Sequence, residues 1–244
     1  MLTVVRIEAL CVDANDPAVL ARFWAEALRW EVEVGDDPEV YVAPTDGTPF
    51  GLLFLPVPEP KTLQNRIHLD LTTSSIDDFH ATINHLVEVG ANHIDIGQRP
   101  GELHVVLADP EGNEFCVIHP DNRFLAGCGR LGTVNCGNGT REAGYFWSAA
   151  LEWPLMWDQD EETAIRPPDS AGPIISWGGP PLLPKPPKNR LHLDLAPPAD
   201  GDQQAEVDRL ISLGARRIDI GQGDVSWVVM ADPDGNEFCV LTPR

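Results

Sequence analysis

Asp109-Pro110-Glu111-Gly112-Asn113-Glu114-Phe115-Cys116-Val117 returns 123 residues later as Asp232-Pro233-Asp234-Gly235-Asn236-Glu237-Phe238-Cys239-Val240. Each copy follows an apolar run, Leu103 to Ala108 and Trp227 to Ala231, and leads into another. The pattern predicts strand, tight turn, strand. Proline presets φ, Gly and Asn tolerate left-handed backbone, and the opening Asp can hold the turn's own amides. Strand alternation then sets Glu114 and Cys116 on one face and Phe115 and Val117 on the other.

Working outward, the repeat extends along the chain. Phe23-Trp24-Ala25-Glu26-Ala27-Leu28-Arg29-Trp30 corresponds to Phe146-Trp147-Ser148-Ala149-Ala150-Leu151-Glu152-Trp153, and Asn65-Arg66-Ile67-His68-Leu69-Asp70-Leu71 to Asn189-Arg190-Leu191-His192-Leu193-Asp194-Leu195. Gly90-Ala91 and Ile94 to Gln98 correspond to Gly214-Ala215 and Ile218 to Gln222. The near-constant offset predicts two homologous domains, 1–122 and 129–244, joined near Pro120 to Arg130, where Gly127 and Gly129 loosen the path.

Each domain divides again. An apolar run, Val4 to Val12, leads to Asp16-Pro17, a helix N-cap with proline in the first turn, and a helix with Val19, Leu20, Phe23, Trp24, Ala27 and Leu28 as its stripe. Short strands are expected at Glu31 to Val34, Tyr41 to Ala43 and Gly51 to Leu55, before a Pro-rich crossing at Pro56 to Lys61. A second unit follows, with strand Ile67 to Thr72 and a helix capped by Ser75 and Asp78 that bears Ile76, Phe79, Ile83, Leu86 and Val87 and stops at Gly90. Strands at His93 to Ile96, Leu103 to Ala108 and Glu114 to His119 close it. Every quarter therefore reads β-α-β-β-β.

Composition narrows the partners. Of 244 residues, 43% are hydrophobic, and 17 basic against 38 acidic residues leave a net charge of −21. That field disfavours nucleic acid and anionic lipid, and no basic run offsets it. No apolar run approaches the roughly 20 residues of a membrane span, and the start, Met1 to Arg6, lacks a signal-peptide pattern. Five scattered cysteines are no disulfide framework. A cytoplasmic protein with a small-molecule ligand, and a homodimer as one arrangement, is expected.

On the strand from Arg66, the residues Arg66, His68 and Asp70 share one face while Ile67, Leu69 and Leu71 share the other. The apolar face must cover helices. The polar face is either solvated or lines the hollow of a curved sheet, and Cys116 beside Glu114 favours a hollow, since free cysteine is seldom exposed.

These features resemble the vicinal oxygen chelate superfamily, and more narrowly its glyoxalase-like, bleomycin-resistance-like domains, over essentially the whole chain. The resemblance implies an α+β fold of tandem glyoxalase-like domains, each of two βαβββ modules whose curved mixed sheets form a cup. It also implies a divalent metal there that chelates adjacent substrate oxygens. Its ligand positions map unevenly. Seven residues before Asp16 stands Ala9; the strand Gly51 to Leu55 has no ligand; the second module offers His68, and Cys116 where a Glu is usual. The second domain offers His192 and Cys239, with poor ligands near Gly129 to Leu131. One His and one Cys are fewer than the three or four protein ligands of a tight zinc site, so neither cofactor nor metal is expected, a divalent metal being the alternative.

The expected ligand-binding set is therefore Arg66, His68, Asp70, Glu114 and Cys116, with Arg190, His192, Asp194, Glu237 and Cys239. Cys116 and Cys239 read first as small, soft core residues and only second as nucleophiles or ligands. The first functional reading is a metabolite- or drug-binding protein of the resistance type. The alternative is an enzyme, lyase-, isomerase- or dioxygenase-like, with His68 or His192 as base or metal ligand. A third reading makes one domain a scaffold for dimer formation. Whether paired modules close a cup inside each domain, or swap across a dimer, stays open.

Overall fold

The computed structural model describes residues 5–33, 35, 38–99, 101–168 and 172–244. Val4 and Val34, placed above in strands, lie outside them. The first module runs β1 (Arg6–Ala14), α1 (Pro17–Leu28), β2 (Glu31–Glu33), β3 (Val40–Ala43) and β4 (Gly51–Pro56). The second runs β5 (Ile67–Leu71), α2 (Ile76–Glu88), β6 (Asn92–His93), β7 (His104–Ala108) and β8 (Glu114–Ile118). The third has β9 (Leu131–Cys136), α3 (Arg141–Leu151), β10 (Leu155–Gln159), β11 (Glu162–Ile165) and β12 (Ile174–Trp177). The fourth has β13 (Leu191–Ala196), α4 (Gln203–Leu213), β14 (Arg216–Arg217), β15 (Val228–Ala231) and β16 (Glu237–Val240). The α+β class and the four modules are as the sequence led us to expect.

The local signals act as the chemistry requires. Asp16 Oδ1 accepts from Val19 N at 3.0 Å, with Pro17 in the first turn, and Ser75 Oγ accepts from Asp78 N at 3.1 Å. Asp78 returns its bond to Ser74 N, at 2.8 Å, one residue earlier than a capping box has it. Val19, Ile76 and Val87, assigned to buried stripes, are exposed because they sit at the edges of their stripes. The strand expected at His93 to Ile96 shrinks to Asn92–His93, since Asp95 Oδ1 and Gln98 Oε1 capture the amides of Gly97 and Ile96, both at 2.8 Å.

The pairing of modules is neither of the arrangements left open. The chain forms two eight-stranded sheets, ordered β14-β15-β16-β13-β1-β4-β3-β2 and β10-β11-β12-β9-β5-β8-β7-β6. The first module thus shares a sheet with the fourth, through antiparallel β1 and β13, and the second with the third, through β5 and β9. Each cup is built from both halves of one chain. One large apolar core lies on the helix side of both sheets, with Leu10, Phe54, Leu69, Phe115, Trp177 and Phe238 among its fully buried members. Burying aromatic rings of this size dominates such a core. The opposite faces carry two small separate clusters, one around Val106, Cys116 and Ile118, the other around Val229, Cys239 and Leu241. Among the described residues no helix is long and apolar enough to cross a membrane.

Candidate functional site

In the first sheet Cys11 on β1 faces His192 on β13, and Asp194 on β13 faces Cys239 on β16. Cross-strand partners project to the same side, so these four side chains form a staggered block across three strands, away from the helices. They are sealed: Cys11 is 0% exposed, His192 6%, Asp194 9% and Cys239 6%. His192 Nε2 lies 3.5 Å from Asp194 Oδ1. Burial, with Lys188 adding to it, pushes the imidazole down to about 3, and burial raises the Asp194 carboxyl to about 6. Burial also pushes the Cys11 and Cys239 thiols well above their usual range. Beside the block, Asp13 is held by Lys188 Nζ at 2.7 and 2.8 Å.

The second sheet repeats the block with one change. His68 Nε2 lies 3.4 Å from Asp70 Oδ1, Asp70 pairs in register with Cys116, and His68 faces Asn135 rather than a cysteine. Asn135 Nδ2 donates to Asp70 Oδ2 at 3.2 Å. The His68 side chain is 19% exposed against 7% for His192, so this block is the more open. The segment that joins the two halves of the sequence roofs the hollow: Leu125 and Phe124 join the cluster containing Cys116 and Ile118, and Phe124 meets Trp157 edge-on at 6.2 Å. Beneath the linker lies a cavity of about 340 Å³ lined by Thr72, Ile118, His119, Asn122, Leu125 and Cys128, among others. Thr72 and Ile118 are two residues beyond Asp70 and Cys116.

The other four expected anchors sit elsewhere, occupied by structural partners. Arg66 donates to the carbonyls of Leu183 and Asp234 at 2.8 and 2.9 Å. Arg190 donates to the Asp13 carbonyl at 2.7 Å and to Glu111 Oε2 at 2.6 Å. Both arginines thus clamp a strand start to the Asp-Pro-acid-Gly-Asn turn of the opposite half. Glu114 accepts from Lys61 Nζ at 2.6 Å and from Asn65 N at 3.1 Å, and Glu237 accepts from Lys185 Nζ and Asn189 N. Buried carboxylates demand such partners. What the sequence reading missed is Cys11 and Asn135. Cys11 was visible as a potential ligand two residues from Ala9 on the same strand face, but its neighbour across the sheet was not.

A model of the glyoxalase-like domain matches the chain twice, over residues 9–118 and 133–241. The chain belongs to this family. It is a tandem member of the vicinal oxygen chelate superfamily. No curated protein matches the sequence. Among solved structures it is similar to glyoxalase I from Zea mays, at 12% identity over 98% of this chain and 92% of that one with a TM-score of 0.63. It is also similar to a putative dioxygenase from Bacillus subtilis subsp. subtilis str. 168, at 13% identity over 99% and 86% with a TM-score of 0.62. At identities this low the likeness shows the fold alone.

The usual metal position of glyoxalase-like cups can now be tested against side chains. In the first sheet it would draw on Ala9, on Leu53 (the β4 partner of Cys11), on His192 and on Cys239. In the second it would draw on Thr133, Ser176, His68 and Cys116, since Thr133 and Asn135, rather than Gly129 to Leu131, face Asp70 and His68. Two of the four positions in each sheet hold no good ligand, so the donor set does not fit that oxygen-chelating centre. Yet both blocks keep orphaned polar atoms. His192 Nδ1 and Asp194 Oδ1 in one, and Asp70 Oδ1 and Thr133 Oγ1 in the other, are buried without a hydrogen-bond partner among the described residues.

Proposed function

We propose that this glyoxalase-like protein binds a small molecule in the hollow of the second sheet, as a metabolite- or drug-binding protein without the superfamily's usual divalent-metal site. The observation that carries this reading is the cavity of about 340 Å³ under the linker, whose lining residue Thr72 lies two positions beyond Asp70 and four beyond His68 on the same strand. Small-molecule sites begin at roughly 300 Å³ and combine apolar walls with a few convergent polar groups. Here Ile118 and Leu125 supply wall and Thr72, His119 and Asn122 polar lining, and a ligand that extends from the cavity along the sheet face reaches the unpartnered Asp70 Oδ1 and Thr133 Oγ1 and then His68.

The test is calorimetric binding of metabolite- and drug-library hits to the purified full chain, before and after dialysis against a chelator. Affinity should be unchanged by the chelator and fall about tenfold or more in His68→Ala, the worth of one or two hydrogen bonds. If no hit responds to His68→Ala, the site is elsewhere. A second reading, with His68 as a general base oriented by Asp70, is favoured by their 3.4 Å contact. Conversion of a hit during incubation, abolished by His68→Ala, would select it.

A further inference from the structure

The first sheet's block differs from the second's in ways that matter for cation chemistry. It contributes two sulfurs, one imidazole and one carboxylate from three strands, all on one face. Ligand atoms of Cys11, His192 and Asp194 already lie within 4.8 Å of one another, and the Cys239 thiol, outside that group, hydrogen-bonds to Asp194. A tetrahedral zinc ion with bonds of about 2.0 to 2.3 Å needs donor-to-donor edges of roughly 3.3 to 3.8 Å, so a contraction of up to about 1.5 Å brings these three into place and a longer movement of the Cys239 thiol adds the fourth. The orphaned His192 Nδ1 and Asp194 Oδ1 are groups that a cation satisfies and that otherwise stay unpaired inside the protein.

We propose that Cys11, His192, Asp194 and Cys239 form a closed site for one thiophilic divalent cation of the zinc class. This is not the usual superfamily centre, whose remaining positions here are Ala9 and Leu53; the site moves one pleat along, recruiting Cys11 and Asp194 instead. Two thiolates select zinc over magnesium or calcium, and four protein ligands leave no position open for a substrate, which makes the site structural. It fastens β1 of the first module to β13 and β16 of the fourth, and so joins the two halves of the chain. The second sheet gathers His68, Asp70 and Cys116 within the same 4.8 Å but has no fourth donor among the described residues, since Asn135 takes the place of Cys11 and turns its amide nitrogen toward Asp70. In the absence of a cation, burial keeps the Cys11 and Cys239 thiols protonated, and loading exchanges their protons for the metal.

The experiment uses the full chain, produced with zinc or cobalt supplied as it folds, because a fully buried site loads during folding. Elemental analysis should give one cation per chain, and the cobalt form should show an intense sulfur-to-cobalt charge-transfer band with tetrahedral d–d absorption. Cys11→Ser and Cys239→Ser should each lose the band, while Cys116→Ser, in the other hollow, should keep it. Should either serine variant fail to fold, X-ray absorption on the zinc-loaded wild type decides, with two sulfurs expected in the inner shell. Failure of the wild type to retain stoichiometric zinc or cobalt, an octahedral spectrum without a sulfur band, an inner shell lacking sulfur, or a band that survives both serine substitutions would overturn the proposal. Ligand binding in the second hollow is read separately by calorimetry, so either result can fail alone.

Discussion

The indole Nε1 of Trp24 donates to Asp109 Oδ2 at 3.1 Å, and 123 residues on, Trp147 makes the same bond to Asp232 Oδ2 at 3.1 Å. Asp109 also takes the amides of Glu111 and Asn113, at 3.0 and 2.9 Å, so one buried carboxylate both folds the turn and ties it to the helix of the preceding module. Removing it strands several donors. Asp109→Ala should cost about 3 kcal/mol in denaturant unfolding, and Trp24→Phe about 1 to 2 kcal/mol, because the ring packing against Phe115 survives.

Burial raises Asp232 to about 6 from an ordinary 3.8, the bonds from Trp147 and Asn236 opposing it. Between those values the native protein keeps a proton that the unfolded chain has lost. Stability from this group therefore falls as pH rises from about 4 to about 6, and is level above that. Measured against Asp232→Asn, which cannot titrate, the wild type should lose relative stability across this window; a difference that rises there, or does not move, would refute the assignment.

The duplicated turn made the four modules legible before any coordinates, since Asp, Pro, Gly and Asn each have one conformational use at that spacing. The helix caps at Asp16 and Ser75 were legible for the same reason. Module pairing was not. The strands Arg66 to Leu71 and Arg190 to Leu195 are near copies, so hydrophobic pattern allows β1 to pair with either one. The choice rests on contacts between remote residues, such as Arg190 with Glu111 and Arg66 with Asp234, which no local pattern encodes. The same strand pattern put Arg66, His68 and Asp70 on one face correctly, but not the reach that carries the arginines away from the hollow.

Arg190 and Glu111 are both nearly buried, with side chains 9% and 11% exposed. Arg190→Gln leaves Glu111 and two carbonyls short of a donor and should cost about 3 to 5 kcal/mol, the range for breaking a buried pair. Ligand affinity at 25 °C should stay within about twofold, which separates a clamp from a binding anchor. A selective loss of affinity with stability intact would return Arg190 to the site.

Gly132 lies where a Cβ would sit 2.7 Å from Leu125 Cδ1 and 2.8 Å from Thr72 Cγ2. Gly132→Ala should push the linker off the second sheet at a cost of about 1 to 3 kcal/mol. Trypsin should then cut faster after Arg123, already exposed in the linker. Equal cleavage rates in the two proteins would mean that Leu125 does not hold the roof in place.

The most direct measurement is a crystal structure of the full chain with its tightest-binding library hit. Ligand density is expected beneath residues 122–128, against Thr72 and extending along the sheet face to Asp70 and His68, with no cation bridging ligand to protein. Density confined to another surface, or a metal ion joining the ligand to His68 and Cys116, would contradict it.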